Sequence, residues 1–537
     1  MIKINFSANT INLFTSAIFT IIYNNVFFNK VNAIYPFNQN SFFFISLIIL
    51  LFTVTFIYLS IFSFNKKLNK FWLIINLIIG SMTYHSINSY DIVVDSLMLL
   101  NLFQSNKKEI LELLTIESLK VIFLLGIIPS IIIFKIKIKK IARTKAILHF
   151  FLTAILLFLL SFVGLKSNSK AFASFFRKHK YIRSYINPIH PVYSFYKLQE
   201  KINAHTKKPF TKLGLDATQN QTERNVLFLV IGETARGDRF SINGYERETN
   251  PLISNEKILT FSNVTSCGTS TAHSVPCIFS SKSSESFELN EFRNESNLLD
   301  IIAAIPNTLV VWRDNNSDSK GVAERITYQD FKDPKINKVC MDECRDIGML
   351  EGLNDFIEKD NYKNIVIVFH MMGSHGPSYF KRYPKEFEKF TPVCKTGQLE
   401  ECSIEEINNV YDNTILYTDY FLSESIKFLK SYENTMNTSL IYVSDHGESL
   451  GENGYYLHGY PYRFAPKEQK AAALIFWPGQ KLRNQLGLQD NFKLEDYPIS
   501  HDDVFHSVLG VLGIETQLYS QVLDFAKRYR VPIRKKN

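Results

Sequence analysis

The chain runs to 537 residues, with 60 lysines and arginines against 51 aspartates and glutamates, a formal net charge of +9. That length excludes a single ordinary core and implies two or three domains. A uniformly soluble protein is excluded too: residues 1–165 are dominated by Ile, Leu and Phe with few acids, whereas the chain from Asn225 onward has the composition of a soluble enzyme.

Five apolar stretches, at 10–28, 42–63, 71–88, 118–136 and 146–165, are each long enough to cross a bilayer, which takes roughly 20 residues. The first lacks a small-residue cleavage site and four more follow, so it reads as an uncleaved helix and not a signal peptide. Basic loops set the orientation. "NKKLNK" (Asn65–Lys70) joins spans two and three, and "KIKIKKIARTK" (Lys135–Lys145), with six basic residues and no acid, joins four and five. Both belong on one side, expected to be the cytoplasm, which puts the C-terminal domain outside. Residues 166–183 are basic as well, so charge alone leaves the last span nearly balanced. The cysteines break the tie. All six fall in close pairs from Cys267 onward, Cys267/Cys277, Cys340/Cys344 and Cys394/Cys402, which is the pattern of a disulfide framework in an oxidising compartment. Their unequal spacings lack the repeated CxxC of zinc knuckles. Residues 166–222 are rich in Lys, Arg, Tyr and Phe and read as an amphipathic bridging segment at a membrane surface. The expected division is 1–165 transmembrane, 166–222 bridging and 223–537 catalytic.

Beyond the bridge, short branched apolar runs read as buried parallel strands with helices between them. They are Asn225–Glu233, Asn307–Asn315, Asn364–Gly376, Ser439–Glu448 and Ala471–Trp477. Such strands imply a sheet covered by helices on both faces. The first four turn polar at their C-terminal ends, in Glu233, in Arg313–Asp314, in His370 and His375, and in Asp445–His446. Ligands of open α/β sheets lie beyond the carboxyl ends of the strands, so these residues are expected along one edge. Alone, Glu233 would read as a helix cap or surface acid, and His375 or His458 as a solvated loop residue. Carboxylates and imidazoles gathered at one edge suit Zn²⁺ or Mn²⁺ with one position left open. "SCGTSTAHSVPCIF" (Ser266–Phe279) offers Thr269, Ser270 and Thr271 before a predicted helix. Such residues are ordinary N-caps, but a helix N-terminus also favours phosphate, and a metal-bound hydroxyl attacks phosphorus at neutral pH. Lys320 is a candidate to neutralise a phosphate oxygen.

At these residues the sequence resembles the phosphoethanolamine transferases that modify lipid A, the family that includes the mobile colistin-resistance enzymes. The stretches that carry the resemblance include "GETARGDRFSINGYER", "FSNVTSCGTSTAHSVPCIFS", "WRDNNSDSKG", "MGSHGPSYFKRYP" and "SDHGESLGENGYYLHG". It implies an N-terminal five-helix transmembrane domain plus a C-terminal α/β/α alkaline-phosphatase-like (sulfatase-like) domain, placed in the bacterial inner membrane with the catalytic domain in the periplasm. It also implies the reaction. Phosphatidylethanolamine gives its headgroup to a threonine, releasing diacylglycerol, and the phosphoethanolamine-threonine then reacts with a lipid A phosphate, giving resistance to cationic peptides such as polymyxin. By motif position the zinc ligands are Glu233, Thr271, Asp445 and His446, with Thr271 also the nucleophile. One tight Zn²⁺ site is expected, with a second, transient ion admitted. His375, His458, Lys320 and Asn316 match positions that hold phosphoethanolamine. Asn101, Ser105 and Glu109, spaced i, i+4, i+8 on one helix face, match a headgroup-proximal triplet in which the family has Thr where this chain has Ser105. The partners implied are phosphatidylethanolamine, lipid A and membrane lipids, with no nucleic acid and a monomeric enzyme. Two departures stand out: "CMDEC" (Cys340–Cys344) closes a short loop, and His273 stands where relatives often have an aromatic residue.

Sulfatases proper share the implied fold but need a Cys or Ser followed by Pro two residues on and Arg four on, and no such run starts at Cys267 or Thr271. Lipoteichoic acid synthases also join five spans to a threonine, for phosphoglycerol transfer, but do so without a disulfide framework. A receptor with a degenerate domain should have lost ligands that are all present here. Transfer to a core sugar or a protein, or phosphoglycerol transfer of the lipoteichoic acid synthase type, stay open as alternatives.

Overall fold

The structure, a computed structural model, describes residues 6–105, 114–139, 141–205, 209–358, 362–488 and 498–527. It forms two compact units, Met1–Leu99 with Leu114–Gln199, and Leu100–Leu113 with Glu200–Asn537.

The first unit is helical. Among the described residues three helices are long and apolar enough to cross a membrane, Phe37–Leu59, Ile116–Lys135 and Thr144–Ser167. The pair Ala8–Tyr23 and Asn25–Ile34, bent by 53°, makes a fourth if it is one span. The expected five are therefore not all recovered. The predicted span at 71–88 does fold as a helix, Lys66–Tyr90, but Asn69, Asn76, Ser81, Thr83 and His85 lie along it, all buried. In hydrocarbon a polar group must find its partner inside the protein, and several of these do. Asn69 exchanges amide hydrogen bonds with Asn12 at 3.0 and 3.3 Å, and Asn76 accepts from the Tyr58 hydroxyl at 2.7 Å. The helix thus turns its polar residues into the bundle, which lowers its apolarity without exposing them.

The segment after the last long helix is tied into the same unit. The helix Ser169–Lys178 buries Phe172 and Phe175 and ends on Arg177 and Lys178. Asn187, fully buried, donates its backbone N–H to Asn24 Oδ1 at 2.9 Å and its amide to the Gly80 carbonyl at 2.8 Å, and accepts from the Thr83 hydroxyl at 2.9 Å.

The second unit is built on an eight-stranded sheet. Its strands are β1 (Asn225–Gly232), β2 (Leu259–Thr265), β3 (Thr308–Asp314), β4 (Thr327–Asp330), β5 (Asn364–His370), β6 (Asn437–Ser444), β7 (Ala471–Pro478) and β8 (Ile499–Ser500). In space the order is β8-β2-β7-β6-β1-β5-β3-β4. Every residue of β1, β5 and β6 is buried. Alternate side chains serve opposite faces: Leu227, Leu229 and Ile231 join the core with Val275, Leu299 and Val508, while the Phe228 ring stacks on Phe428 of the long helix Ile404–Lys430 at 5.7 Å. The expected three-layer arrangement follows from this alternation.

Two details differ from the sequence reading. The run at Ala471 was expected to be parallel, but β7 is antiparallel to both β2 and β6. A parallel return needs a crossover of a dozen or more residues, usually a helix, and residues 445–470 supply only short strands and turns. The edge strands β4 and β8 and the strand β2 had no long apolar run to announce them; β2 is partly exposed. The six cysteines are joined as Cys267–Cys277, Cys340–Cys344 and Cys394–Cys402.

Candidate active site

β1 and β6 are parallel neighbours, and Gly232 lies opposite Ser444. The residues that follow, Glu233 on one strand and Asp445 and His446 on the other, therefore leave the sheet side by side, and all three are fully buried. The Asp445 carboxylate ties the two strand ends together by accepting the Thr234 and His446 backbone N–H groups on Oδ1, at 3.0 and 2.8 Å. Gly447 is required for a close approach: a Cβ there would sit 2.0 Å from the Glu468 carbonyl oxygen. β2 runs in the same direction as β6, so the turn after it reaches the same edge, and the helix Thr271–Ile278 starts there with Ser270 as N-cap. The Cys267–Cys277 bridge joins the turn to the far end of that helix.

The three candidate hydroxyls separate once their partners are seen. Thr269 donates to the Tyr460 carbonyl at 2.6 Å. Ser270 stands at the N-cap position, but its hydroxyl makes no capping hydrogen bond and finds no partner among the described residues. Thr271 alone reaches the cluster, with Oγ1 at 3.1 and 3.3 Å from the two Glu233 oxygens and 3.5 Å from His446 Nε2.

His446 Nδ1 lies 2.9 Å from the Gly447 carbonyl oxygen. A carbonyl only accepts, so Nδ1 carries the proton. Burial pushes this imidazole well below its usual pKa, and in the neutral ring Nε2 then holds a lone pair. Facing it are Asp445 Oδ2 at 3.2 Å and Glu233 Oε1 at 3.7 Å. Asp445 Oδ2 is itself buried and has no hydrogen-bond partner by geometry among the described residues. Lone pairs converge here with too few protons to separate them, which is the donor set of a divalent cation with N and O preference. These residues fit such an ion.

His458 adds to the cluster. Its Nδ1 is 2.7 Å from Glu448 Oε2, and the other Glu448 oxygen accepts from the Tyr379 hydroxyl at 2.5 Å. A carboxylate on one ring nitrogen fixes the tautomer and aims the other. The His458 and His446 ring centroids are 4.4 Å apart, and one donor atom from each of Glu233, His446 and His458 lies within 4.8 Å of the others. His375 is close by, 6.0 Å from His458 between centroids. Its Nδ1 is buried without a partner, and burial followed by the nearby cationic groups lowers its pKa well below the usual value. Asn316 donates to Glu233 Oε2 at 2.9 Å and to the Met371 carbonyl at 2.8 Å. Lys320, 1% exposed, donates to Ser317 Oγ at 2.6 Å and to the Gln104 carbonyl at 3.4 Å.

Other candidates fall differently. Arg313 is turned to the Met349 and Glu351 carbonyls and Gln329, away from the cluster. Asp314 and His370 pair with each other at 2.9 Å. Ser105, one residue past the helix Ser96–Gln104, donates its hydroxyl back to the Asn101 carbonyl at 3.0 Å; Glu109 lies outside the described residues. His273 sets its ring edge-on to Phe287 at 5.1 Å, so it packs where an aromatic ring would. Sequence reasoning missed Glu448 and Tyr379. Glu448 stands two residues after His446, but nothing in the spacing says that it holds a histidine ten residues further on.

A family profile described as Sulfatase matches residues 224–514, and one described as Phosphoethanolamine transferase EptA/EptB matches residues 51–202. Phosphatidylethanolamine transferase Mcr-1 of Escherichia coli is 38% identical over 508 residues, which cover 91% of this chain and 92% of that protein. The chain belongs to the phosphoethanolamine transferase family. EptA of Salmonella typhimurium, another phosphoethanolamine transferase, is 35% identical over 525 residues, 94% of each chain. Among solved structures, the integral membrane lipooligosaccharide phosphoethanolamine transferase A from Neisseria meningitidis superposes with a TM-score of 0.90 at 30% identity, covering 97% of this chain and 98% of that one. As a phosphoethanolamine transferase the chain has the family's two parts, a membrane-like helical domain and a sulfatase-like α/β domain, and the cluster at Glu233, Thr271 and His446 lies in the second.

Proposed function

We propose that this enzyme transfers phosphoethanolamine from phosphatidylethanolamine to a lipid A phosphate, using Thr271 as nucleophile and Glu233, Thr271, Asp445 and His446 to hold one Zn²⁺. The observation that carries this reading is the Thr271 hydroxyl set between the Glu233 carboxylate and His446 Nε2, at 3.1 and 3.5 Å, beside an unpartnered Asp445 oxygen. A zinc ion held by these groups supplies a Lewis acid that lowers the proton affinity of the hydroxyl and draws charge from phosphoryl oxygens.

The rest falls to the chain's own residues. Thr271 Oγ1 donates toward Glu233, which is placed to take its proton as the Oγ–P bond forms. The P–O bond to diacylglycerol breaks, and the departing oxygen takes up a proton. A phosphate oxygen of lipid A then attacks the phosphorus of the phosphoethanolamine-threonine, and the Thr271 oxygen leaves and is reprotonated. His458, oriented by Glu448, together with His375, Lys320 and Asn316, are the groups we assign to the phosphoethanolamine oxygens, with Asn101, Ser105 and Glu109 toward the headgroup. The family resemblance and the relatives' named activity support the substrates, and a further transient metal ion is compatible with the His446–His458 proximity. In the same reading the bent pair Ala8–Ile34 and the helix Lys66–Tyr90 complete five spans. Residues 166–222 form the bridge, and the enzyme works as a monomer with residues 223–537 in the periplasm of the bacterial inner membrane.

Thr271→Ala is the direct test. Losing one hydroxyl hydrogen bond costs roughly 0.5–1.5 kcal/mol of stability, whereas losing the nucleophile removes the reaction. The folded variant is expected to release no diacylglycerol from phosphatidylethanolamine; near-normal release would sink the assignment.

A further inference from the structure

On one side of the helical unit five helix ends gather. Ala8–Ile18, Lys66–Tyr90 and Arg143–Ser167 begin there, and Phe37–Leu59 and Ile128–Lys135 end there. Between them is a cavity of about 150 Å³ whose lining includes Asn9, Ser63, Lys66, Lys139, His149 and Phe150. That is well above the roughly 10–15 Å³ that one water needs on the same measure, so it has room for a polar group of several atoms. Among the described residues no aspartate or glutamate lines it, and none occurs in the sequence at 60–70 or 135–145. Lys66 Nζ donates to the Ile138 carbonyl at 3.0 Å, an uncharged partner that leaves its charge uncompensated.

Two further atoms in the lining ask for a ligand. Ser63 Oγ and Asn9 Oδ1 are both buried and have no hydrogen-bond partner among the described residues. The Asn9 amide nitrogen donates to Thr153 Oγ1 at 3.0 Å, so its oxygen is left as an acceptor. Leaving such groups unsatisfied costs stability. A ligand that meets all of them offers acceptor oxygens with negative charge to Lys66, Lys139 and Ser63, and one donor to Asn9. Phe64 and Phe150 stand in the same wall, and Phe64 is exposed toward the surroundings of the bundle, so the ligand should also carry hydrocarbon.

We propose that this cavity binds an anionic glycerophospholipid of the leaflet that faces the basic loops, with the phosphodiester on Lys66 and Lys139 and a headgroup hydroxyl on Asn9. Basic pockets between helices on the cytoplasmic side recognise anionic headgroups, each lysine contributing about 1 kcal/mol. The site shares no residue with the catalytic cluster, and its failure would leave the transfer reading standing.

The test uses the full chain in lipid nanodiscs, followed by native mass spectrometry after transfer to detergent. The discs contain phosphatidylethanolamine alone or with phosphatidylglycerol, and a third arm offers inorganic phosphate to lipid-stripped protein. The wild type is expected to retain phosphatidylglycerol selectively. Lys66→Gln with Lys139→Gln should cut that retention roughly thirty-fold, while Lys66→Arg with Lys139→Arg should keep it, which separates lost charge from lost fold. Lys139→Gln alone, on an exposed side chain, should give a partial loss. Equal retention by the double glutamine variant, no preference over phosphatidylethanolamine, or saturation by inorganic phosphate in place of lipid would each overturn the proposal.

Discussion

Asp445 places one oxygen on two backbone amides and turns the other, without a donor, toward the His446 ring. His458 is held instead by a carboxylate on its Nδ1. The two residues should therefore fail in different ways. Asp445→Ala removes a charged donor at the centre of the cluster and is expected to lose both zinc and transfer. His458→Ala is expected to keep its zinc while transfer falls roughly 10²–10³-fold, the usual cost of one positioned charge-stabilising donor. Metal analysis of both purified variants beside a diacylglycerol assay decides the division; zinc lost from His458→Ala would make it a ligand, as its closeness to Glu233 and His446 permits. Much of this cluster was legible before any fold was known, because polar residues that end buried strands in an open sheet are forced to one edge. That Thr271 and not Thr269 reaches the cluster was not legible from residue type. Both are threonines in one turn, and the Tyr460 carbonyl, 191 residues away in the chain, engages Thr269 while Thr271 faces Glu233.

At the scale of elements, apolar runs located the central strands but not their direction, as β7 shows, and they were silent on the partly exposed β2. The same limit explains Lys66–Tyr90: a window of composition cannot see that Asn69 already has Asn12 for a partner. Packing between elements also creates properties that no local pattern carries. Asp524 sits against the helix Asp502–Leu512, so close that a Cβ on Gly510 would meet its Oδ2 at 1.8 Å, and it accepts from the Tyr519 hydroxyl at 2.7 Å and the Ala526 N–H at 2.9 Å. Burial pushes its carboxyl up to about 6. The folded chain thus binds this proton more tightly than the unfolded chain, so the stability it contributes is fully present below about pH 4 and is lost as pH rises through about 6. Asp524→Asn keeps both contacts, since the Tyr519 oxygen can accept from the amide. It should be less sensitive than the wild type to a rise from pH 5 to pH 8, by about 1.4 kcal/mol. Melting of the two proteins across that range checks it; parallel curves would mean that Asp524 titrates normally.

For the whole molecule, the division into an apolar helical part and a soluble α/β part could be read from composition, because the two solvents select opposite side chains. What ties the chain after the last span could not be read: residues 166–222 read as an amphipathic bridging segment at a membrane surface, and nothing local says that Asn187 is buried among Asn24, Gly80 and Thr83, contacts whose sequence separations exceed a hundred residues. Orientation is the property on which function in the cell depends, since a lipid A acceptor is reached only if the catalytic unit is outside. A reporter active only in the periplasm should therefore signal when fused after residue 222 and stay dark when fused at Asn69. In cells that express the chain, phosphoethanolamine on lipid A adds an ammonium beside each modified phosphate, which weakens the field that draws cationic peptides to the surface. Polymyxin tolerance should rise with the wild type and not with Thr271→Ala, and mass spectrometry of lipid A should show the added group only in the first. Tolerance without modified lipid A would point to another acceptor, and reversed reporter signals would place Thr271 on the wrong side of the membrane for either.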